Sequence, residues 1–240
     1  MKTAIVTGGT KGIGLGVVRM LAARGYRVIA SYAHDDKAAQ QALEEVKGLP
    51  GRVTFFRADH SVRCETYAFI EHVRQELPGI DCVVCNAGTT VRKSFTETDD
   101  TDWDRQMEVG ILAHVILLRE LFPLINQQAR ILFTGSAMGI YPHATVTAYG
   151  VVKAAVHALV KNLVKVFEEK EATVNAIAPG FVDTDWQKEK PEQIRENICR
   201  KTAIHRFATI DETVQAFAFC LDNAFVNGSV IEVNGGYDYK

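Results

Sequence analysis

Short apolar runs alternate with longer amphipathic stretches along the whole chain, and this rhythm constrains the fold more than any other feature of the sequence. Several of the runs are nearly continuous in Val, Ile and Phe, as strands buried on both faces are. We predict strands at Thr3–Val6, Arg27–Ser31, Val53–Arg57, Asp81–Cys85, Arg130–Thr134, Thr173–Ala178 and Ser229–Val233.

The amphipathic stretches between the runs have the length and polarity of helices. We place helices at roughly 13–24, 37–47, 62–76, 102–125, 147–169 and 211–222. Repeated strand–helix units predict a parallel sheet with right-handed crossovers and helices on both faces. A chain of 240 residues suits one large α/β domain, 1–240, better than two. We therefore expect a doubly wound parallel sheet of about seven strands.

Composition narrows the function classes. Hydrophobic residues make up 47% and charged residues 23%, and the formal net charge is −2. The charge balance shows no excess of basic residues that would favour binding to nucleic acid. No apolar run is long enough to cross a bilayer, and the N-terminus lacks a signal-peptide pattern, so we expect a cytoplasmic protein. The five cysteines are scattered, which fits a reducing compartment. Cys82 and Cys85 lie three apart on a predicted strand without a second pair, so we interpret them as core residues and expect no metal site.

One long segment, 181–210, departs from the strand–helix rhythm. It is polar and charged, with Trp186 and Phe207 embedded in it, and it lies between the sixth and seventh predicted strands. A long excursion at the carboxyl end of a strand is a candidate substrate lid. An additional surface helix explains the segment equally well.

A glycine-rich segment, Thr7–Gly14, follows the first predicted strand and opens the first helix. In such a turn Gly8 permits the tight bend, Gly12 lets a pyrophosphate approach the backbone, and Gly14 lets the helix pack closely on the strand. The helix N-terminus then offers N–H donors and positive potential to the phosphates. A glycine triplet alone is weak evidence, but its place at the head of a β-α series predicts a dinucleotide site.

Tyr149 and Lys153 are four residues apart on a predicted helix, so they share one face. A nearby cation favours phenolate, and we expect Lys153 to lower the pKa of Tyr149 toward neutrality. Such a phenol is a usable acid or base for a carbonyl or alcohol oxygen. Ser136 follows an apolar strand at the sheet edge where such folds bind ligands, and its hydroxyl could hold the substrate oxygen. Each motif is weak alone, since surface helices often carry Tyr-x-x-x-Lys and turns often carry Ser.

The glycine spacing, together with the order of Ser136, Tyr149 and Lys153, resembles the short-chain dehydrogenase/reductase family. The resemblance covers nearly the whole chain and implies a Rossmann-type fold. Further matching motifs are Asp59 after the third strand, the stretch Cys85–Gly88 with Cys in place of the family's first Asn, the stretch Pro179–Thr184, and the closing Val233–Gly236.

The resemblance also implies a mechanism. NAD(P)H delivers hydride to a carbonyl carbon, Tyr149 protonates the oxygen, Ser136 orients it, and Lys153 also bonds the nicotinamide ribose. The same site running backward oxidises an alcohol. Catalysis is therefore expected from Ser136, Tyr149 and Lys153.

Cofactor contacts carry over in the same way. By resemblance, Asp59 accepts from the adenine amino group, and Val182 and Thr184 contact the nicotinamide amide. The expected cofactor-binding residues are Gly8, Thr10, Lys11, Gly12, Ile13, Gly14, Tyr32, Asp59, His60, Asn86, Ala87, Gly88, Tyr149, Lys153, Pro179, Gly180, Val182 and Thr184.

One position departs from the family pattern. Family members usually carry an Asn seven residues after the Trp of the fourth long helix, where it helps to hold a water of the proton relay. Counting from Trp103 gives Gly110. Gly keeps a backbone carbonyl but has no amide side chain, and in mid-helix it costs about 1 kcal/mol relative to Ala. We hypothesise that Gly110 leaves room for an extra water and that activity survives.

The choice between NAD and NADP depends on the end of the second strand. An acid there normally holds the ribose 2′-hydroxyl of NAD, and here the place falls on Tyr32. Lys11 could pair with a 2′-phosphate, and Ser31 or His34 could add hydrogen bonds. The acids at 35 and 36 oppose this, and Lys11 also fits a solvated loop charge. We expect NADP, with NAD as the alternative.

The substrate is the least constrained expectation. The whole-chain pattern resembles most the bacterial 3-oxoacyl-acyl-carrier-protein and acetoacetyl-CoA reductases, which implies a 3-oxoacyl thioester, a role in fatty acid biosynthesis and acyl carrier protein as a candidate partner. Reductases of sugars, steroids and small ketones share the same motifs. A dinucleotide-binding protein with a degraded site is a further alternative, motivated by Gly110. The expected pocket residues, which fit core positions equally well, are Met138, Tyr141, His143, Phe181 and Trp186.

Two expectations concern partners. An acidic carrier protein would need a basic rim at the site. Family members commonly form dimers and tetramers through the fourth and fifth long helices, so the resemblance implies a homo-oligomer, either a dimer or a homotetramer. The apolar run Ile111–Leu118 suits that interface or the core. The candidates for the rim, which a solvated helix face explains equally well, are Arg119, Lys161, Lys165 and Lys170.

Overall fold

The computed structural model describes residues 1–188 and 190–239. Its strands are β1 (Thr3–Val6), β2 (Arg27–Tyr32), β3 (Arg52–Arg57), β4 (Ile80–Cys85), β5 (Ile125–Thr134), β6 (Thr173–Pro179) and β7 (Val230–Val233). All pair in parallel, in the spatial order β3-β2-β1-β4-β5-β6-β7. The predicted doubly wound parallel sheet of Rossmann type is confirmed.

The helices fill the intervals between the strands and lie on both faces of the sheet. Most boundaries fall within two residues of the predicted ones. The helices are α1 (Gly12–Ala23), α2 (Asp36–Glu45), α3 (Arg63–Glu76), α4 (Asp100–Met107), α5 (Ala113–Leu121), α6 (Thr147–Val166), α7 (Asp185–Lys188), α8 (Glu192–Lys201) and α9 (Ile210–Asp222).

Residues 102–125, predicted as one helix, are divided. A π-helical turn at Glu108–Leu112 separates α4 from α5, and the Ala113 N–H donates to the Glu108 carbonyl, five residues back. Gly110 lies in the middle of this turn and is buried. Such single-turn π segments occur frequently at functional sites.

Helix α9 shows how local sequence defines an end. The Thr209 hydroxyl accepts from the Glu212 N–H at 3.1 Å, and the Glu212 carboxylate accepts from the Thr209 N–H at 2.8 Å. This reciprocal capping box satisfies two of the N–H groups that a helix start leaves without partners. Further along the helix, Phe217 and Leu221 are buried against the sheet.

The core is divided by the sheet into two layers. One layer contains Phe69, Leu117 and Phe133, and the other contains Leu21 and Phe217. Because both faces of β4 are covered, Cys82 and Cys85 are buried and unpaired, and burial raises the pKa of Cys82 to about 12. They are core thiols, as the sequence indicates. In the described ranges, no helix is both long and apolar enough to span a membrane.

The sheet order reverses direction between β1 and β4. The chain leaves β1 toward β2 on one side and returns to β4 on the other, so the loops at the carboxyl ends of these two strands separate. Such a switch point leaves a crevice above the sheet, where doubly wound folds bind ligands.

Candidate active site

A cleft of about 520 Å³ lies above this switch point, bordered by the loops that follow β1, β4, β5 and β6. All three expected catalytic residues and all expected cofactor-binding residues border it. Loops that are far apart in the sequence are thus brought together at one edge of the sheet. The part of the segment 181–210 that reaches the cleft consists of Val182 and the stretch from Thr184 to Gln187.

The expected substrate residues are placed differently. Trp186 borders the cleft, whereas the other four do not line it. Phe181 packs instead against Tyr237, with ring centroids 4.9 Å apart, and Tyr141 lies 6.4 Å from the ring of Tyr239. These aromatic contacts involve the C-terminal residues, which the sequence analysis did not connect with the site. The residues outside the cleft lining are Met138, Tyr141, His143 and Phe181.

The glycine loop has the geometry that a pyrophosphate requires. Gly8 and Gly12 have φ of 67° and 51°, in the left-handed region that favours glycine. A Cβ on Gly14 would overlap the Gly8 carbonyl. Gly12, Ile13 and Gly14, the first residues of α1, border the cleft, so the N-terminal N–H groups of the helix are placed to donate to an anion there. The residues present therefore fit a dinucleotide phosphate.

Asn86 ties the loop to the neighbouring strands. Its Nδ2 donates to the carbonyls of Thr7 and Gly8 at 3.1 and 3.0 Å, and its Oδ1 accepts from the Thr134 hydroxyl at 2.9 Å. The Thr7 hydroxyl accepts in turn from the backbone N–H groups of Asn86 and Ala87, both at 2.9 Å. The ends of β1, β4 and β5 are thus held at fixed separation around the cleft.

The three expected catalytic side chains converge. Tyr149 and Lys153 lie on the first turns of α6, and Ser136 follows β5 with its hydroxyl near enough to the Tyr149 phenol to lower the pKa of that phenol. Lys153 Nζ donates to the Thr134 carbonyl at 2.6 Å and lies 5.6 Å from the centroid of the Tyr149 ring. Lys153 is 4% exposed and Ser136 is 7% exposed, so this chemistry is shielded from bulk water.

The protonation states differ from the sequence-based prediction. Burial raises the pKa of Tyr149, and the hydrogen bond from Ser136 opposes it only in part. The predicted lowering by Lys153 was wrong for this arrangement, because the ammonium is directed to the Thr134 carbonyl and lies over the ring face. Burial also lowers the pKa of Lys153 to about 8. At neutral pH Tyr149 is therefore a protonated donor beside a cation.

Gly110 serves packing and leaves no room for the hypothesised extra water. A Cβ at this position would overlap Val152 Cγ1, so the Val152 side chain already fills the space. His114, one helical turn later, lies with Nδ1 at 3.2 Å from the Gly110 carbonyl and Nε2 at 3.3 Å from the Thr7 hydroxyl. Because a carbonyl can only accept, Nδ1 carries the proton, and burial lowers the pKa of His114 to about 3, which keeps the ring neutral.

The adenosine end of the cleft contains several paired charges. Lys11 forms an ion pair with Asp35, and His34 Nε2 lies 2.7 Å from Asp59 Oδ2. Burial alone would raise the pKa of Asp59, but the hydrogen bonds from Ser61 and the neighbouring His34 outweigh it and hold the pKa of that carboxyl below its usual value. Asp59 is thus an anionic acceptor bordering the cleft.

Two suggested 2′-phosphate contacts are occupied elsewhere. Ser31 is fully buried, and its hydroxyl lies 2.7 Å from His60 Nε2, so it does not face a phosphate. His34 is paired with Asp59. Lys11 and His34 border the cleft, as does Tyr32, whose hydroxyl donates to Asp36 at 2.9 Å.

None of the four cations suggested as a basic rim borders the cleft. Lys170 Nζ donates to the carbonyl of Ile125, the first residue of β5, at 2.7 Å. On helix α6, Lys161 and Lys165 lie about 12 and 18 Å along the helix axis from Lys153, which borders the cleft. These cations do not border this chain's own cleft.

Two histidines near the catalytic residues, His114 and His157, were not among the predicted site residues. His157 lies four residues after Lys153, on the same face of α6, and accepts from the Ser136 N–H through Nε2 at 3.4 Å. His114 lies four residues after Gly110. In both cases the helical spacing from an already selected residue was a usable signal.

Comparison with known proteins agrees with this geometry. Residues 2–195 match the family described as short chain dehydrogenase. The chain belongs to the short-chain dehydrogenase family. It is therefore an NAD(P)-dependent oxidoreductase acting on a carbonyl/alcohol pair, with a cleft for a nicotinamide dinucleotide.

Curated relatives of this short-chain dehydrogenase differ in substrate. A 2-dehydro-3-deoxy-D-gluconate 5-dehydrogenase from Pseudoalteromonas atlantica is 34% identical, over 98% of this chain and 95% of the relative. A 3-oxoacyl-[acyl-carrier-protein] reductase from Thermotoga maritima is 29% identical, over 98% of this chain and 97% of the relative. Among solved structures, a short chain dehydrogenase from Burkholderia cenocepacia in complex with NADP superimposes with a TM-score of 0.93 at 26% identity, covering 99% of this chain and 98% of that one.

Proposed function

We propose that the chain is an NADPH-dependent reductase that converts a carbonyl to an alcohol, with a 3-oxoacyl thioester as the favoured substrate. The observation that carries the proposal is the convergence of Ser136, Tyr149 and Lys153 at one cleft with a glycine loop built for a pyrophosphate. The bound dinucleotide supplies the hydride. The side chains bind and orient the substrate oxygen and donate the proton to it.

Ser136 and Tyr149 would share the substrate oxygen. Their hydroxyl groups lie close together at the cleft, so a carbonyl oxygen between them would receive two donors. As negative charge develops on that oxygen, the phenol transfers its proton to it, and the ammonium of Lys153 beside the ring stabilises the phenolate that remains. The raised pKa of Tyr149 supports the reductive direction, because the phenol is protonated at neutral pH.

The preference for NADPH is supported by the position of Lys11 at the adenosine end of the cleft and by Tyr32 at the place of the usual acid. Asp35 opposes it, because this carboxylate already pairs with Lys11. Comparison of Km for NADPH and NADH tests the preference. A lower Km for NADH at similar turnover would refute it.

Two substrate classes have support from relatives. The 3-oxoacyl-[acyl-carrier-protein] reductase of Thermotoga maritima favours a thioester, and the 2-dehydro-3-deoxy-D-gluconate 5-dehydrogenase, which is more similar, favours a keto sugar acid. Arg105, an exposed cation that borders the cleft, could pair with the carboxylate of the second class. A panel of acetoacetyl-CoA, a keto sugar acid and a small neutral ketone, followed by NADPH absorbance, separates them.

We also propose that the segment 181–210 acts as the lid of a single domain, 1–240. Two arginines anchor its short helix α7. Arg92 Nη2 donates to the Trp186 carbonyl at 3.1 Å, and Arg195 Nη1 donates to the Gln187 carbonyl at 3.0 Å. Arg195 also stacks over the Phe207 ring at 4.5 Å. These contacts connect the cleft wall with the far end of the segment.

A further inference from the structure

We infer that His157 is a positioning residue for Ser136: its neutral imidazole fixes the loop that presents the Ser136 hydroxyl to the Tyr149 phenol. The inference rests on the proposed function, because it concerns the orientation of the substrate oxygen. No part of it requires His157 to touch substrate or cofactor.

The register of α6 places His157 directly behind the catalytic pair. Tyr149, Lys153 and His157 are spaced by four residues, so the three side chains form one row along the helix. The row runs from the cleft into the protein, and His157 at its inner end is 8% exposed. The imidazole therefore lies beneath the loop that leaves β5.

The loop is shaped around this ring. A Cβ on Gly135 would overlap His157 Nε2, and a Cβ on Gly139 would lie 2.9 Å from His157 Cε1. Glycine at these two positions, before and after Ser136, leaves the space that the imidazole ring occupies. A side chain of similar volume is required at 157, because a smaller one would leave a cavity under the loop.

A hydrogen bond to the His157 ring fixes the orientation of Ser136 within this loop. The Ser136 N–H donates to His157 Nε2 at 3.4 Å, which is long but directed at the one acceptor the ring offers. The Ser136 hydroxyl accepts from the Met138 N–H at 3.2 Å and lies near the Tyr149 phenol. With its amide N–H bonded to His157 and its hydroxyl bonded to the Met138 N–H, Ser136 is held in its orientation toward that phenol.

The His157 ring can accept this hydrogen bond because the imidazole is neutral. Burial lowers the pKa of His157 to about 4, with the ammonium groups of Lys153 and Lys161 contributing in the same direction. Nε2 accepts only when the proton is on Nδ1. The structure therefore specifies one tautomer as well as one position.

The test compares two substitutions of similar size. His157→Leu removes the acceptor, and His157→Gln retains one. With the full-length protein, NADPH and the best carbonyl of the panel, we expect His157→Leu to lower kcat about tenfold while Km for NADPH changes less than about twofold. We expect His157→Gln to recover most of kcat. A parental kcat in His157→Leu, or equal losses in both variants, overturns the inference.

Val160→Ala is the matched control for a purely structural effect. Val160 is fully buried on the same helix and packs into the core layer away from the loop. We expect this variant to lower Tm with kcat per NADPH-binding site unchanged. If His157→Leu behaves in the same way, its role is structural and the inference is wrong.

Long-range ¹H–¹⁵N NMR of the His157 ring separates this inference from the proposed function, since it does not need turnover. A neutral ring with the proton on Nδ1 is expected. A proton on Nε2 overturns the inference even where carbonyl reduction has been demonstrated. The expected tautomer in a parent protein that reduces no carbonyl of the panel would overturn the proposed function, and with it a positioning role in that reaction.

Discussion

Replacing Gly110 by Asn restores the side chain that the family usually carries, and the structure predicts that this harms the protein. A Cβ at 110 would lie less than 3.0 Å from Val152 Cγ1, and Val152 is only 3% exposed, so one of the two must move. Overpacking of this kind costs about 1–3 kcal/mol. In an ordinary helix, Gly→Ala would instead gain about 1 kcal/mol from helix propensity. Gly110→Ala therefore isolates the steric effect, and we expect it to be neutral or destabilising rather than stabilising.

The compensating change is Val152→Ala. Alone it costs about 2 kcal/mol, because it removes two buried methyl groups and leaves a cavity. Combined with Gly110→Asn it opens the space that the amide needs, so we expect a favourable coupling of about 1–3 kcal/mol in the free energy of unfolding. Urea unfolding of the parent, both single variants and the double variant measures this coupling.

Turnover should follow the same pattern. Val152 lies between Tyr149 and Lys153 on α6, so a displaced Val152 shifts both catalytic groups. We expect Gly110→Asn to lose kcat and the double variant to regain it. Additive free energies within about 0.5 kcal/mol, or a Gly110→Asn protein as stable and active as the parent, would refute the packing argument.

Two further predictions follow from the charges of the cleft. Lys153 has a pKa of about 8 in the folded protein against an ordinary 10.5, so between pH 8 and pH 10.5 the unfolded chain binds more protons than the folded one. The stability of the parent protein therefore rises with pH, by up to about 3 kcal/mol in total. Urea unfolding at several pH values should show that Lys153→Met loses this rise, and an unchanged dependence of unfolding free energy on pH would contradict the burial argument. Lys11→Ala should raise Km for NADPH about tenfold with little effect on Km for NADH. Asp35→Asn should lower Km for NADPH, because it frees Lys11 from its ion pair. Equal changes in Km for both cofactors would contradict the assignment of Lys11 to the 2′-phosphate.

Features with local signals were predictable from the sequence. The glycine loop and the strands depend on residues close together in the chain, and the order of Ser136, Tyr149 and Lys153 follows from the order of β-α units. The start of β5 was missed because Asn126, Gln127 and Gln128 are polar and exposed, which hides the strand pattern.

Features that depend on contacts across the fold were not predictable in this way. The close packing of Gly110 against Val152 joins two helical segments that are distant in the chain, and the direction of the Tyr149 pKa shift depends on the burial of its phenol in the folded protein. The partner of His114 is Thr7, 107 residues away, so its place beside the cleft became visible only in three dimensions.

The central claim is that the Tyr149 phenol donates the proton to a carbonyl oxygen. Tyr149→Phe removes the hydroxyl and retains the ring, and fluorescence titration of NADPH controls for an intact cleft. We predict that the variant binds NADPH as the parent does and that carbonyl-dependent NADPH oxidation falls by about a hundredfold or more. Oxidation at the parental rate, with the same substrate and undiminished NADPH binding, would contradict the account.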